Sequence, residues 1–110
     1  MEQMFEIQGN SLVIRLPREL DHPASDQIRK ESDAILRKTY IRTMVFDFSD
    51  TQFMDSSGIG LIMGRYRALG MGGSCIRAVH TSAHIRKLLR LSGVHRYMEI
   101  NEDSEGEPVE

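Results

Sequence analysis

The feature that most constrains the fold is a compact apolar run near the middle of the chain. Residues 43–48 read Thr-Met-Val-Phe-Asp-Phe, which is typical of a strand in the middle of a sheet, and we expect it to be buried on both faces. The run leads to Met54-Asp55-Ser56-Ser57-Gly58, after which apolar residues recur at helical spacing to about Leu69. The centre of the chain is therefore predicted to be a strand, a polar turn and a helix.

The flanking segments alternate between strand and helix patterns. The predicted strands are residues 4–8, 11–16, 74–79 and a short one within 94–100, and the predicted helices are residues 23 to about 38 and a short helix that ends near Gly93. The pair Gly9-Asn10 favours a tight hairpin turn between the first two strands. This alternation predicts an α/β domain with a mixed sheet of about four to five strands and helices packed on it.

Length and charge indicate one domain followed by an acidic tail. The chain has 110 residues, of which 40% are apolar and 27% charged, enough for one modest core. Five of the sixteen acidic residues fall in the last ten, so residues 1–100 carry eleven acidic and fourteen basic residues. An excess of about three positive charges is weak, and we expect no direct contact with nucleic acid. We predict a domain over residues 1–100 and a disordered acidic tail over residues 101–110.

The location of the protein is predicted from its cysteine content and hydropathy. Cys75 is the single cysteine, so an internal disulfide is impossible, and burial as a small apolar side chain is its expected role. The sequence has neither a leader pattern nor a long apolar run. We therefore expect a cytoplasmic protein without a membrane partner.

The polar turn at the centre offers a candidate site. Ser56 and Ser57 precede a predicted helix, where unpaired backbone N–H groups accept anions, and the helix dipole would stabilise a phosphate by roughly 0.3–1 kcal/mol, or ~2 kcal/mol when partly buried. A plain capping role explains Asp55 and both serines as well. Gly58 and Gly60 would allow another backbone to approach closely, but internal helix–sheet packing explains them equally. The spacing alone leaves these alternatives open.

Several chemistries that need a cofactor or metal have weak support. Gly58, Gly60 and Gly64 approximate a dinucleotide-binding loop, but the third glycine is one position late and no second strand with an acidic end follows at the expected distance. His80 and His84 are four residues apart, but the predicted helix begins between them, so they should not share a face as zinc ligands. We predict no cofactor.

The aspartates after the central strand are the remaining catalytic candidates. Asp47, Asp50 and Asp55 cluster where α/β proteins can place magnesium ligands, but no phosphate-binding loop accompanies them. Asp50 is better explained as a turn residue and Asp55 as a cap. Because a G-x-S-x-G turn is absent as well, we predict no catalytic residue and no metal site.

The central segment nevertheless resembles a known family signature. Residues 53–60, Phe-Met-Asp-Ser-Ser-Gly-Ile-Gly, together with residues 64–67, Gly-Arg-Tyr-Arg, resemble the signature of STAS-domain anti-sigma factor antagonists. Further agreement lies in residues 12–16, 19–22, 83–88 and 91–93, so the resemblance covers about residues 4–100. Arg18 and Ile59 depart from the pattern, because the family often has glycine and leucine there.

The resemblance implies a binding protein that is controlled by phosphorylation and is not an enzyme. The first serine after the aspartate, here Ser56, is the family's phosphoacceptor, and the anti-sigma factor is the ATP-dependent serine kinase. The unphosphorylated protein binds that kinase and releases the sigma factor, here expected to be sigma F in a sporulating bacterium. A PP2C-like phosphatase restores the unphosphorylated form.

The resemblance also implies a contact surface for the anti-sigma factor. Its predicted residues are Asp21, Asp55, Ser56, Ser57, Gly58 and Ile59. Arg65, at the margin of the apolar stripe of the central helix, is a further candidate contact. Two other functions stay open: a small protein that binds or hydrolyses nucleotides, and a STAS module of a general stress-response complex.

Overall fold

The computed structural model describes residues 3–101. In chain order the elements are β1 (Phe5–Gln8), β2 (Ser11–Arg15), β3 (Glu19–Leu20), α1 (His22–Lys38), β4 (Thr43–Asp47), β5 (Phe53–Met54), α2 (Ser56–Ala68), β6 (Ile76–Val79), α3 (Ala83–Ser92), a 3-10 helix (Val94–Tyr97) and β7 (Glu99–Ile100). The predicted α/β class is confirmed.

Five strands form one mixed sheet in the order β1-β2-β4-β6-β7. The β1–β2 pair is antiparallel and its turn contains Gly9, whose φ of +63° favours glycine. The pairs β2–β4, β4–β6 and β6–β7 are parallel. The apolar run that includes β4 therefore lies at the centre of the sheet, and the prediction of a mixed sheet with four to five strands is confirmed.

The helices cover one face of this sheet. Met44 and Phe46 of β4 are completely buried, in one core with residues from all three helices, among them Ile28, Ile62, Ile85 and Leu89. Val45 points to the opposite face, beside Val13 and Arg77, and these three residues are only partly buried. The expectation that this strand is buried on both faces is wrong, because the apolar run continues through a position that the neighbouring side chains cover only in part.

A second, very small sheet lies beside the start of two helices. β3 and β5 pair in parallel, with Leu20 opposite Met54, and the Asp55 N–H donates a 3.3 Å hydrogen bond to the Leu20 carbonyl. Neither strand was predicted, since two residues carry no readable periodicity. This pair places the first residues of α1 and α2 side by side.

The C-terminal part of the domain completes the core. α3 ends at Ser92 and is capped by Gly93, which has a left-handed φ of +85°, close to where the sequence predicted a stop. Cys75 is buried as expected, and burial raises the pKa of its thiol. Asn101 remains attached to the sheet through a 2.8 Å hydrogen bond from its N–H to the Ala78 carbonyl. The rest of the predicted acidic tail lies outside the described residues.

Within residues 3–101, every helix is too short or too polar to cross a bilayer.

Candidate functional site

Asp55 fixes the start of α2. Its backbone is extended, and its carboxylate Oδ1 accepts a 2.8 Å hydrogen bond from the Ser57 N–H. The Gly58 N–H donates a 3.0 Å bond to the Asp55 carbonyl. The carboxylate therefore satisfies one of the unpaired donors of the first turn, and Ser56 becomes the first helical residue.

Asp21 does the same at the start of α1. Its carboxylate Oδ1 accepts a 3.1 Å hydrogen bond from the Ala24 N–H, and its carbonyl accepts a 2.9 Å bond from the Ser25 N–H. Asp21 was predicted only as a contact residue, although an aspartate shortly before Pro23 is a recognisable helix start. Asp21 is partly exposed, so its side chain both caps a helix and faces solvent.

The two serines after Asp55 have different surroundings. Ser56 is exposed at the first position of α2. Ser57 is partly buried, and its hydroxyl oxygen lies 3.4 Å from Nδ1 of His22, the first residue of α1. Sequence reasoning did not identify His22, because the contact depends on the pairing of β3 with β5.

A groove of about 180 Å³ separates the first turns of the two helices. His22, Ser25 and Arg29 line it from α1, and Ser57 and Gly60 line it from α2. Ser25 is buried, and within residues 3–101 its hydroxyl has no hydrogen-bond partner. The surface at Ser57 is therefore shaped by both helix starts.

The edge of this groove carries both signs of charge. Asp26 lies 2.7 Å from the Arg29 guanidinium and 3.2 Å from the Lys30 amine. Hydrogen bonds from Arg29 and then Lys30 lower the pKa of the Asp26 carboxyl, which is therefore ionised at neutral pH. The charges of these three side chains partly cancel, so this edge offers only a weak field to an approaching phosphate.

Arg65 lies on the buried face of α2, so its predicted place at an exposed margin is wrong. Its Nη1 atom lies 2.6 Å from Asp33 Oδ1 and 3.1 Å from Ser32 Oγ, both on α1. Arg65 lies on the same buried face of α2 as Leu61 and Ile62. Its guanidinium forms an ion pair with Asp33 of α1. Arg65 joins two helices and is not available to a partner.

The glycines of α2 serve different purposes. A Cβ at Gly58 would lie 2.6 Å from Met54 Cγ and 2.9 Å from Leu20 Cδ2, so Gly58 is required by internal packing. A Cβ at Gly60 or Gly64 would meet nothing within 4 Å. Internal packing therefore accounts for Gly58, whereas Gly60 leaves a bare stretch of helix beside Ser57.

The predicted contact residues are close in space but unequally exposed. Ser56 is exposed, Asp21, Asp55, Ser57 and Ile59 are partly exposed, and Gly58 is buried. Their role in binding an anti-sigma factor stays a prediction. Because Gly58 is buried, it could contribute to binding only by shaping the start of α2.

The aspartates that were weighed as magnesium ligands have separate partners. Asp47 Oδ1 accepts a 2.9 Å hydrogen bond from the Ser49 N–H, and Asp50 lies 3.9 Å from the Arg15 guanidinium. Asp55 is the cap described above. In the part of the chain that the structure describes, no three His, Cys, Asp or Glu side chains are grouped so that they could hold a metal ion.

Together, the fold and the site define a small α/β domain whose distinctive surface is formed by two adjacent helix starts, with a serine exposed on one of them. Residues 2–106 match the sequence pattern of the STAS domain, and the chain belongs to this family. The resemblance inferred from the central segment is thereby confirmed.

Anti-sigma factor antagonists are similar to this chain over most of its length. The anti-sigma F factor antagonist of Paenibacillus polymyxa is 35% identical over 89 residues, which are 81% of this chain and 76% of that protein. The unphosphorylated form of the anti-sigma factor antagonist SpoIIAA is 33% identical, with a TM-score of 0.77 over 91% of this chain and 88% of that one. The phosphorylated form of SpoIIAA from Bacillus is 35% identical, with a TM-score of 0.67 over 91% of each chain.

Proposed function

We propose that this chain is an anti-sigma factor antagonist that phosphorylation of Ser56 inactivates. The observation that carries the proposal is the exposed position of Ser56 at the first residue of α2, directly after the capping Asp55. SpoIIAA, a relative at 33–35% identity, has both a phosphorylated and an unphosphorylated form. A binding protein with one modifiable serine accounts for these features without a catalytic centre.

In this proposal the unphosphorylated protein binds an anti-sigma factor in the cytoplasm and so releases the sigma factor. The relative in Paenibacillus polymyxa is an antagonist of anti-sigma F factor, which favours sigma F and sporulation transcription as the regulated system. The anti-sigma factor is also the ATP-dependent serine kinase, and this chain is its substrate. A PP2C-like phosphatase removes the phosphate.

The geometry supports a phosphate that leaves the fold intact. Because α2 begins at Ser56, a phosphoryl group on its hydroxyl would lie at the positive end of the helix dipole. That position is favourable by roughly 0.3–1 kcal/mol. Ser56 is exposed, so the added group need not displace a core side chain. Phosphorylation is therefore expected to act at the surface.

At an interface the same phosphate is unfavourable. A group of charge ≈ −1.5 to −2, buried against a partner surface that fits a neutral hydroxyl, leaves charge without compensation. Truncation of buried charge pairs suggests a penalty of roughly 2–5 kcal/mol, which is on the order of 30-fold to several-thousand-fold in affinity. This difference is sufficient for a switch.

Phosphorylation by the anti-sigma factor tests the proposal. The protein is incubated with ATP and the anti-sigma factor of its own organism, and the phosphate is located by mass spectrometry. We expect Ser56 to be the main phosphoacceptor, with at most a trace of phosphate on Ser57, and Ser56→Ala to lose nearly all labelling. Phosphate mainly on Ser57 in the parent protein, or labelling of Ser56→Ala at a rate near that of the parent, would contradict the assignment.

A further inference from the structure

Two adjacent serines follow Asp55, and the hydroxyl of each is a chemically suitable phosphoacceptor. We infer that His22 is a positioning residue that holds the Ser57 hydroxyl against α1 and so favours Ser56 over Ser57 as the serine presented to a kinase. The inference rests on the proposed function, because it concerns the choice of phosphoacceptor. It assigns a role to a residue of α1 that lies 35 positions away in the sequence.

The backbone brings His22 to Ser57 and not to Ser56. The parallel pairing of β3 with β5 sets Leu20 opposite Met54, so the two caps that follow, Asp21 and Asp55, begin their helices side by side. The first residue of α1 then faces the second residue of α2, and the 3.4 Å contact between His22 Nδ1 and Ser57 Oγ results.

Ser57 is restrained at two points, whereas Ser56 is exposed. The Ser57 N–H is bound by Asp55 at 2.8 Å, and its hydroxyl points to the His22 ring at the groove between the helices. A kinase must bring the γ-phosphoryl group in line with the attacking oxygen. For Ser57 that approach requires the hydroxyl to leave His22 and turn out of the groove.

The ring can hold the hydroxyl in either of its neutral forms. Nδ1 accepts the Ser57 proton when the ring carries its hydrogen on Nε2, and donates to the Ser57 oxygen when the hydrogen is on Nδ1. An ordinary hydrogen bond corresponds to about a five-fold change in an equilibrium. Because the 3.4 Å contact is longer than an ordinary bond, its loss should raise the accessible Ser57 population by about two- to five-fold.

Two substitutions of His22 separate the hydrogen bond from the presence of a side chain. His22→Ala removes the bond, and His22→Asn keeps a polar atom close to the position of Nδ1. Both leave the Asp21 cap in place, and His22 is exposed, so neither should unfold the protein. His22→Ala combined with Ser57→Ala provides the control in which only Ser56 can react.

The readout is the ratio of phosphate on Ser57 to phosphate on Ser56 early in the reaction with ATP and the anti-sigma factor. We expect that ratio to rise by about two- to five-fold in His22→Ala and to stay near the parent value in His22→Asn. The double variant should carry phosphate on Ser56 alone. An unchanged ratio in His22→Ala overturns the inference and leaves the proposed function standing. A fall in Ser57 labelling also overturns it, since His22 would then activate Ser57.

A second measurement needs no kinase. Nitrogen NMR of the His22 ring reports the tautomer and any hydrogen bond at Nδ1. Ser57→Ala should shift the Nδ1 resonance, whereas Ser56→Ala should not. Identical ring spectra in the parent and in Ser57→Ala would overturn the inference, whereas absence of phosphate from every variant would defeat the proposed function alone.

Discussion

Asp21 and Asp55 cap two adjacent helices, and the proposed contact with an anti-sigma factor would give both residues a second role. Each carboxylate accepts a hydrogen bond from a backbone N–H in the first turn of its helix. The capping of α2 by Asp55 could be predicted from local sequence, because aspartate before a helical pattern is a common start. The sequence could not predict that the two caps lie side by side, because this depends on the pairing of β3 with β5, which are far apart in the chain.

Substitutions of Asp21 separate its cap from its charge. Asp21→Ala should lower the free energy of unfolding by about 1 kcal/mol, because the Ala24 N–H loses its acceptor. Asp21→Asn keeps a capping oxygen and should spare the fold, but should weaken binding if Asp21 meets a basic residue of the anti-sigma factor. Urea unfolding and calorimetry measure the two effects. If Asp21→Asn binds the anti-sigma factor as tightly as the parent, the Asp21 charge is not part of the interface.

Gly58 and Gly60 provide a matched pair on one helix. Gly58→Ala should lower the free energy of unfolding by about 1–3 kcal/mol, because its Cβ would clash with the buried Met54 and Leu20 side chains. Gly60→Ala has open space and should raise that free energy by about 0.5–1 kcal/mol through helix propensity. Urea unfolding of both variants tests this, and equal effects would show that the packing at Gly58 is not limiting.

At the scale of elements, the contact between α1 and α2 includes one buried cation. Arg65 spans the two helices to Asp33 and Ser32. The sequence predicted a surface position, because a charged residue beside an apolar stripe is usually exposed. Arg65 can be buried because α1 supplies the Asp33 carboxylate within hydrogen-bond distance of its guanidinium. The sequence around Arg65 alone could not predict its pairing with Asp33.

Removal of this cation should loosen the helix pair. Arg65→Met should lower the free energy of unfolding by about 1.5–3 kcal/mol, the range for a hydrogen bond to a charged group, because Asp33 stays partly exposed and hydrated. Arg67→Met, at an exposed position of the same helix, should change it by less than about 0.5 kcal/mol. If the two variants unfold at the same urea concentration, Arg65 does not join the helices energetically.

The elements that could be predicted are those with local signals. Helix ends near residues 38 and 93 follow from periodicity and from Gly93, and the first hairpin follows from Gly9-Asn10. β3 and β5 are too short for a pattern, and the open face of β4 depends on which side the helices cover. Local sequence therefore determines most helices and strands, whereas the contacts between them depend on residues far apart in the chain.

At the scale of the whole molecule, the acidic C-terminal segment is predicted to be dispensable. Residues 102–110 contain five acidic residues and Val109 as their one sizeable apolar residue, a composition that cannot supply a packed contact. Because Asn101 is hydrogen-bonded to the sheet, the truncation should begin after it. Melting temperature and affinity for the anti-sigma factor should be nearly unchanged. A loss of affinity would show that the segment contacts the partner.

Phosphorylation is predicted to change the surface and not the fold. Ser56 is exposed at a helix start that can accommodate an anion, so amide NMR shifts should be confined to residues near Ser56 and the adjoining start of α1. Ser56→Asp should reproduce the effect on binding only in part, since it carries one charge and fewer acceptor oxygens. Shifts that reach the β1–β2 hairpin would instead indicate a conformational switch.

The most direct test of the switch is the affinity of one protein in two states for the anti-sigma factor. Calorimetry on the unphosphorylated protein and on protein carrying phosphate on Ser56 gives both dissociation constants under the same conditions. We predict that phosphate weakens binding by on the order of 30-fold to several-thousand-fold, while Ser56→Ala binds like the unphosphorylated parent. Equal affinities of the two states would contradict the proposal that phosphorylation of Ser56 inactivates this protein.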